Sequence, residues 1–187
     1  MPFPGFPCLA MATTSISPGA FMDDVKQGLC PQDIALGLDV HGKTEALRAV
    51  AVLIQHSCRM DAELIFRALN RREQAGSTGV GNGLAIPHAR IPGIDEPVTM
   101  FARTTAPISY GAPDGKPVSD FFVILVPAEG ANETHLQLLR AVAELFSVPA
   151  FRATLAAAAS PPAVAEAFAS WARGSDDGEP EALQGLS

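Results

Sequence analysis

Between residues 76 and 97 the chain carries Gly76, Gly79, Gly81, Gly83, Pro87, Pro92 and Gly93, a density of glycine and proline that no helix survives. Whatever lies on either side must therefore fold around a long irregular segment with its own backbone requirements. Segments of this length are functional or disordered. Val80, Leu84, Ala85 and Ile86 supply apolar anchors, which favours order.

The flanks are regular. Before the segment, Thr44 is expected to cap a helix whose Leu47, Val50, Ala51 and Ile54 recur at helical spacing. Asp61 caps a second helix carrying Leu64, Ile65, Ala68 and Leu69, closed by Gly76. After it, residues 98–105 and 119–126 read as strands, the second apolar on both faces and so central in its sheet. Asn132 or Thr134 opens a helix through Phe146, a shorter helix covers 150–158, and Ser160-Pro161-Pro162 starts a last one to Arg173. Helices before, between and after strands predict an α/β fold, a layered sandwich with a central mixed β-sheet flanked by helices on both faces.

With 187 residues, one domain over 21–173 is expected, between a disordered N-terminal arm (1–20) and a disordered acidic tail (174–187). Met11 and Met22 are alternative starts to Met1.

Several function classes are excluded. The formal charge is −7, and the longest basic cluster is Arg71-Arg72, so no patch for nucleic acid or an anionic membrane is present. No stretch approaches the roughly 18 apolar residues of a membrane span. The N-terminus lacks any Lys or Arg before Lys26 and is broken by prolines, so it fails as a secretory signal. Cys8, Cys30 and Cys58 are odd in number and have no metal-binding spacing, which fits a reducing cytoplasm.

The glycine cluster invites a nucleotide reading, which its spacing rejects. Gly76-Ser-Thr-Gly79-Val-Gly81-Asn-Gly83 is not followed by Lys-Ser or Lys-Thr, and it runs into Leu84-Ala-Ile-Pro87 rather than a helix. What remains is a histidine, His88, leaving from a stiff position just after proline. A neutral imidazole can attack phosphorus and form a labile N–P bond, given cations or N–H groups around the phosphoryl oxygens. Arg72 or Arg90, amides of the loop at Gly81 and Asn82, and the Ser77 and Thr78 hydroxyls are the candidates to bind those oxygens. The two hydroxyls serve equally well to satisfy the turn. Glu73 reads as a solvated or structural carboxylate at a helix end. His41 and His56 read as surface residues.

The run Arg72-Glu-Gln-Ala-Gly-Ser-Thr-Gly-Val-Gly-Asn-Gly-Leu-Ala-Ile-Pro-His-Ala-Arg90, with Leu125-Val-Pro and Asn132-Glu-Thr-His-Leu136, resembles the fructose/mannitol family of enzyme IIA proteins of the bacterial phosphoenolpyruvate-dependent sugar phosphotransferase system. It is most similar to the nitrogen-regulatory branch. The resemblance implies that His88 accepts a phosphoryl group at Nε2 from a small HPr-like carrier. It also implies that His135 positions the acceptor and that Arg72 stabilises the phosphoryl group, with no metal and no cofactor. Ala89 stands where many members have glycine. If Asn132 is the cap, His135 lies in a first helical turn, where the dipole disfavours its protonation.

Three functions are thereby set against each other. The protein is a regulatory switch whose phosphorylation gates docking on target proteins, a sugar-transport component passing phosphate to a IIB partner, or a metal-dependent hydrolase using the two histidines. A hydrolase lacks third and fourth ligands. The lack of an attached permease or IIB domain in this chain favours the switch.

Overall fold

The computed structural model describes residues 29–129 and 132–176; the side chains at 132–135, 137 and 172–176 lie outside that description, as do the expected arm and nearly all of the expected tail. After a 3₁₀ turn at Pro31–Asp33 come β1 (Ile34–Leu38), α1 (Lys43–Cys58) and α2 (Ala62–Gln74). The short strands β2 (Gly79–Gly81), β3 (Leu84–Ala85) and β4 (His88–Ile91) follow, then the long strands β5 (Val98–Ile108) and β6 (Val118–Pro127). Three helices complete the chain: α3 (Asn132–Ser147), α4 (Pro149–Ala157) and α5 (Pro161–Asp176).

The strands form one mixed sheet in the order β1-β5-β6-β3-β2, with β4 also on β6. β1 runs parallel to β5, β5 antiparallel to β6, and both β3 and β4 parallel to β6. The expected layered α/β sandwich is what forms. On one face Phe121, Val123 and Leu125 of β6 meet Leu47, Val50 and Ile54 of α1 and Ile65 and Leu69 of α2. On the other, Phe122, Ile124 and Val126 meet Leu138, Val142 and Phe146 of α3, Phe151 of α4 and Phe168 of α5. β6 is thus buried on both sides, as a central strand with an unbroken apolar run must be.

Asp61 caps α2 through bonds from Glu63 N (2.8 Å) and Leu64 N (3.2 Å). Thr44 does not cap α1. The cap is Gly42, which makes no side-chain bond, and Glu45 in the first turn accepts the His41 amide at 2.8 Å, so the carboxylate reaches back to satisfy a backbone donor. α5 continues to Asp176, three residues beyond its expected end.

The larger difference lies in the glycine-rich segment, which is built from three strands rather than irregular chain. Asn82 and Gly83 adopt φ of 54° and 79°, the left-handed pair that reverses a two-residue hairpin between β2 and β3. Each strand is too short to display an alternating pattern of its own. β1 was hidden similarly, since Gly37 (φ 78°) sits at a register shift between Leu36 and Leu38. Among the described residues, no helix is long and apolar enough to cross a membrane.

Candidate functional site

β3 and β4 are two pieces of one interrupted strand. Leu84 lies opposite Asp120 and His88 opposite Ile124, so both pieces keep the same offset of 36 residues against β6. The interruption is Ile86-Pro87. Pro87 has no amide to donate, although its carbonyl still accepts from Ile124 N at 2.9 Å. Ile86 turns its amide to the Thr78 carbonyl (2.9 Å), and its own carbonyl lies 2.8 Å from Nδ1 of His88.

That last contact fixes the chemistry of the ring. A carbonyl oxygen only accepts, so Nδ1 carries the proton and Nε2 is left with its lone pair. The other partner agrees: Arg72 Nε donates to His88 Nε2 at 2.9 Å, which requires Nε2 to be an acceptor. Arg72 is itself held by donating from Nη1 to the Gly76 carbonyl at 2.8 Å, in the last turn of α2, where a cation suits the helix dipole. His88 shares a sheet face with Ile124 and the exposed Arg90, while Arg72 arrives from α2, which packs on the opposite face. Burial lowers the His88 pKa below its ordinary value. The Ile86 carbonyl opposes this and the Arg72 charge adds to it. The imidazole is therefore neutral, single in tautomer, and aimed with Nε2 outward from its anchor.

Glu73, next to Arg72, is the residue the sequence undervalued. Its carboxylate is buried and far from solvated. Oε1 accepts from Lys43 Nζ at 2.7 Å, and Oε2 accepts from Thr78 N (2.9 Å), Thr78 Oγ1 (2.5 Å) and Tyr110 Oη (3.3 Å). Burial alone would raise its pKa, but the Lys43 and Thr78 bonds outweigh that and hold it below the ordinary glutamate value. Tyr110, fully buried, is pushed far up by burial. An acid in the last turn of a helix opposes the dipole. That is the one sequence signal that marked Glu73 as needing partners.

The remaining candidates are distributed unevenly. The Ser77 hydroxyl donates to the Tyr110 carbonyl (3.1 Å) and accepts from Gly79 N (3.2 Å), and the Thr78 hydroxyl is spent on Glu73, so both hold the turn. Gly81 and Asn82 sit at the hairpin tip, where Asn82 N donates to Asp114 Oδ2 at 2.8 Å. Four residues of strand, about 13 Å, separate the level of Leu84 from that of His88. The hairpin tip beyond Leu84 is thus not placed with Arg72 and His88. His135 belongs to the first turn of α3, and its side chain lies outside the described residues. Arg90, His41 and His56 are exposed. Among the described residues no group of three or more His, Cys, Asp or Glu is placed to hold a metal ion.

Comparison with known proteins places this geometry. Residues 29–171 match the family described as "Phosphoenolpyruvate-dependent sugar phosphotransferase system, EIIA 2". A nitrogen regulatory protein of Pseudomonas aeruginosa is 40% identical over 122 residues, covering 65% of this chain and 79% of the relative. The crystal structure of nitrogen regulatory protein IIA-Ntr from Neisseria meningitidis superimposes with a TM-score of 0.72 at 35% identity, over 77% of this chain and 98% of that one. The mannitol IIA of Escherichia coli, 20% identical with a TM-score of 0.63 over 75% of this chain and 98% of its own, shares the fold.

Proposed function

The chain belongs to the EIIA type 2 family of the phosphoenolpyruvate-dependent sugar phosphotransferase system, and from that premise we propose that it is a cytoplasmic phosphohistidine carrier whose output is regulatory. His88 takes the phosphoryl group on Nε2 from an HPr-like phosphocarrier. The observation that carries this reading is the Nδ1–H bond to the Ile86 carbonyl, which leaves Nε2 as the one nucleophilic nitrogen of the ring.

The step balances without a proton transfer at the nucleophile. The Nε2 lone pair attacks phosphorus, the N–P bond of the donor phosphohistidine breaks, and its electron pair returns to the donor imidazole. Nδ1 keeps its proton against Ile86, so the phosphorylated ring carries delocalised positive charge. It is thus ready to leave as neutral imidazole when an acceptor arrives. Arg72 Nε, relieved of the lone pair, is adjacent to the incoming phosphoryl oxygens and neutralises their charge. His135, in the first turn of α3, is assigned the role of positioning the acceptor.

Phosphorylation places a dianionic phosphoryl group beside a rigid strand, a net change of about −1 while Nδ1 keeps its proton. That is enough to repel an acidic partner surface or to recruit an arginine-bearing one without refolding. The names of the relatives at 40% and 35% identity favour this nitrogen-regulatory reading over sugar transport. Residues 21–173 are proposed as the whole IIA unit.

The test is incubation with enzyme I, an HPr-like carrier and phosphoenolpyruvate, followed by assay for acid-labile, alkali-stable phosphate. Stoichiometric label that vanishes in His88→Ala is expected. Label that persists in that variant overturns the proposal.

A further inference from the structure

α2 ends by presenting two adjacent residues, and only one of them touches the acceptor. Arg72 reaches Nε2 directly. Glu73 is buried and makes no hydrogen bond to that ring; it collects four hydrogen bonds from Lys43 of α1, Thr78 and Tyr110. A buried carboxylate is costly, since isolating it from water demands a partner for nearly every lone pair. Its partners are found at long range. Lys43 is the first residue of α1, and its ammonium also lies 4.6 Å from the centre of the Tyr110 ring. Tyr110 is in turn packed edge-on against Phe121 of the central strand, with ring centroids 5.4 Å apart.

What this clamp holds is a peptide unit. Thr78 is gripped at both its amide and its hydroxyl by one carboxylate oxygen. Its carbonyl, so fixed, accepts the Ile86 amide at 2.9 Å. Ile86 occupies the gap in the strand where the ladder to β6 is interrupted, so its orientation relies on that bond. The carbonyl of the same residue accepts from His88 Nδ1. Two backbone units therefore join the carboxylate to the proton that defines the acceptor's tautomer.

We propose that Glu73 is a positioning residue for the phosphoacceptor: through Thr78 and Ile86 it keeps the His88 proton on Nδ1 and the lone pair on Nε2, while touching neither nitrogen. A histidine side chain free in water prefers the opposite tautomer, with the proton on Nε2. Loosening Ile86 thus lets the ring revert and blocks the nucleophile with a proton. One helix end controls both nitrogens of one ring, Arg72 by contact and Glu73 by relay. This inference rests on His88 being the acceptor, and the test separates the two.

The experiment uses the full chain and reads ¹⁵N resonances of the histidine ring together with single-turnover transfer from a phosphorylated HPr-like carrier. In wild type the His88 ring is expected as one tautomer, protonated at Nδ1. Glu73→Ala is expected to show a substantial Nε2–H population and transfer at least tenfold slower, with affinity for the unphosphorylated carrier unchanged. Glu73→Gln, which keeps an acceptor oxygen for the Thr78 amide, is expected to restore the wild-type tautomer and to transfer within threefold of wild type. If Glu73→Ala folds poorly, Thr78→Val serves instead: it keeps the amide bond but loses the hydroxyl donor, and a three- to tenfold slower transfer with a detectable second tautomer is expected.

A wild-type tautomer and wild-type rate in the folded variant overturn the inference while leaving His88 as acceptor. Slow transfer with an unaltered tautomer also overturns it, because a loosened loop alone would act that way. Label surviving in His88→Ala would instead remove the reading beneath it.

Discussion

Replacing Arg72 by alanine tests whether the arginine serves the transition state or only restrains the resting ring. Two bonds are lost, Nε–H to His88 Nε2 at 2.9 Å and Nη1–H to the Gly76 carbonyl at 2.8 Å. The second costs about 1 kcal/mol of stability and should leave the fold intact. The first acts in opposite directions on the two states of the reaction. At rest the arginine N–H occupies the lone pair that must attack, and removing a charge-assisted bond of about 1.5 kcal/mol or more would by itself speed transfer. In the transition state the same donor faces the phosphoryl oxygens, and losing a preorganised donor there costs about 2.7–4 kcal/mol.

The second effect is the larger, and the net loss of about 1.2–2.5 kcal/mol corresponds to transfer roughly seven- to seventyfold slower. A second signature accompanies it. Arg72 helps keep the His88 pKa low, so its removal should move the acid limb of the rate profile to higher pH. Rapid-quench transfer from a phosphorylated carrier between pH 5 and 8.5 measures both. A variant as fast as wild type at pH 8, or an acid limb that stays in place, refutes the assignment. Arg72→Lys should keep the limb low but recover only part of the rate, because an ammonium cannot hold Gly76 and His88 in one planar fork.

The remaining predictions concern stability. Arg103 pairs twice with Asp120 (2.7 and 3.1 Å) and donates to the Leu155 and Ala158 carbonyls at the end of α4, with both side chains about one-fifth exposed. Discounted for that exposure, Arg103→Ala should cost about 3 kcal/mol by urea denaturation, and a cost below about 1 would show that water replaces these bonds. Gly79→Ala would place a Cβ 2.9 Å from Ala112 Cα, a backbone atom that cannot step aside, and should cost about 1–3 kcal/mol. Gly93→Ala meets no atom within 4 Å but carries a φ of 85°, so its cost of about 1 kcal/mol should be conformational alone. Finally, because His88 has a lowered pKa when folded, the unfolded chain binds its proton first as pH falls. Stability should therefore decline as pH drops through about 6.5 and level off once it passes the lowered value. His88→Gln should lose that part of the slope.

The sequence revealed what is local and concealed what is not. Asp61 announces a helix start within three residues, and β6 announces itself by an apolar run long enough to be buried on both faces. β1 pairs with a strand 67 residues away and β4 with one 36 residues away, so neither pairing leaves a trace in its own few residues. The Asn82-Gly83 dipeptide was the legible clue to the hairpin, and it was masked by the surrounding glycines. At the site, the proline before His88 signalled a fixed backbone, but the tautomer depends on where the Ile86 carbonyl points. Glu73 shows the same limit, since Lys43 and Tyr110 lie 30 and 37 residues away and no spacing encodes their convergence.

The interrupted strand carries a consequence for motion. Pro87 O is hydrogen-bonded to Ile124 N, at the middle of the strand buried in both cores, so the acceptor's backbone can detach only if the centre of the sheet opens. Amide exchange at Ile124 should accordingly be among the slowest in the protein, close to the limit set by global unfolding. Arg72 and Gly76 lie at the C-terminal end of α2, where Gly76 is exposed. Any breathing that admits a donor or releases the phosphoryl group therefore belongs to the helix end, against a nucleophile that stays still.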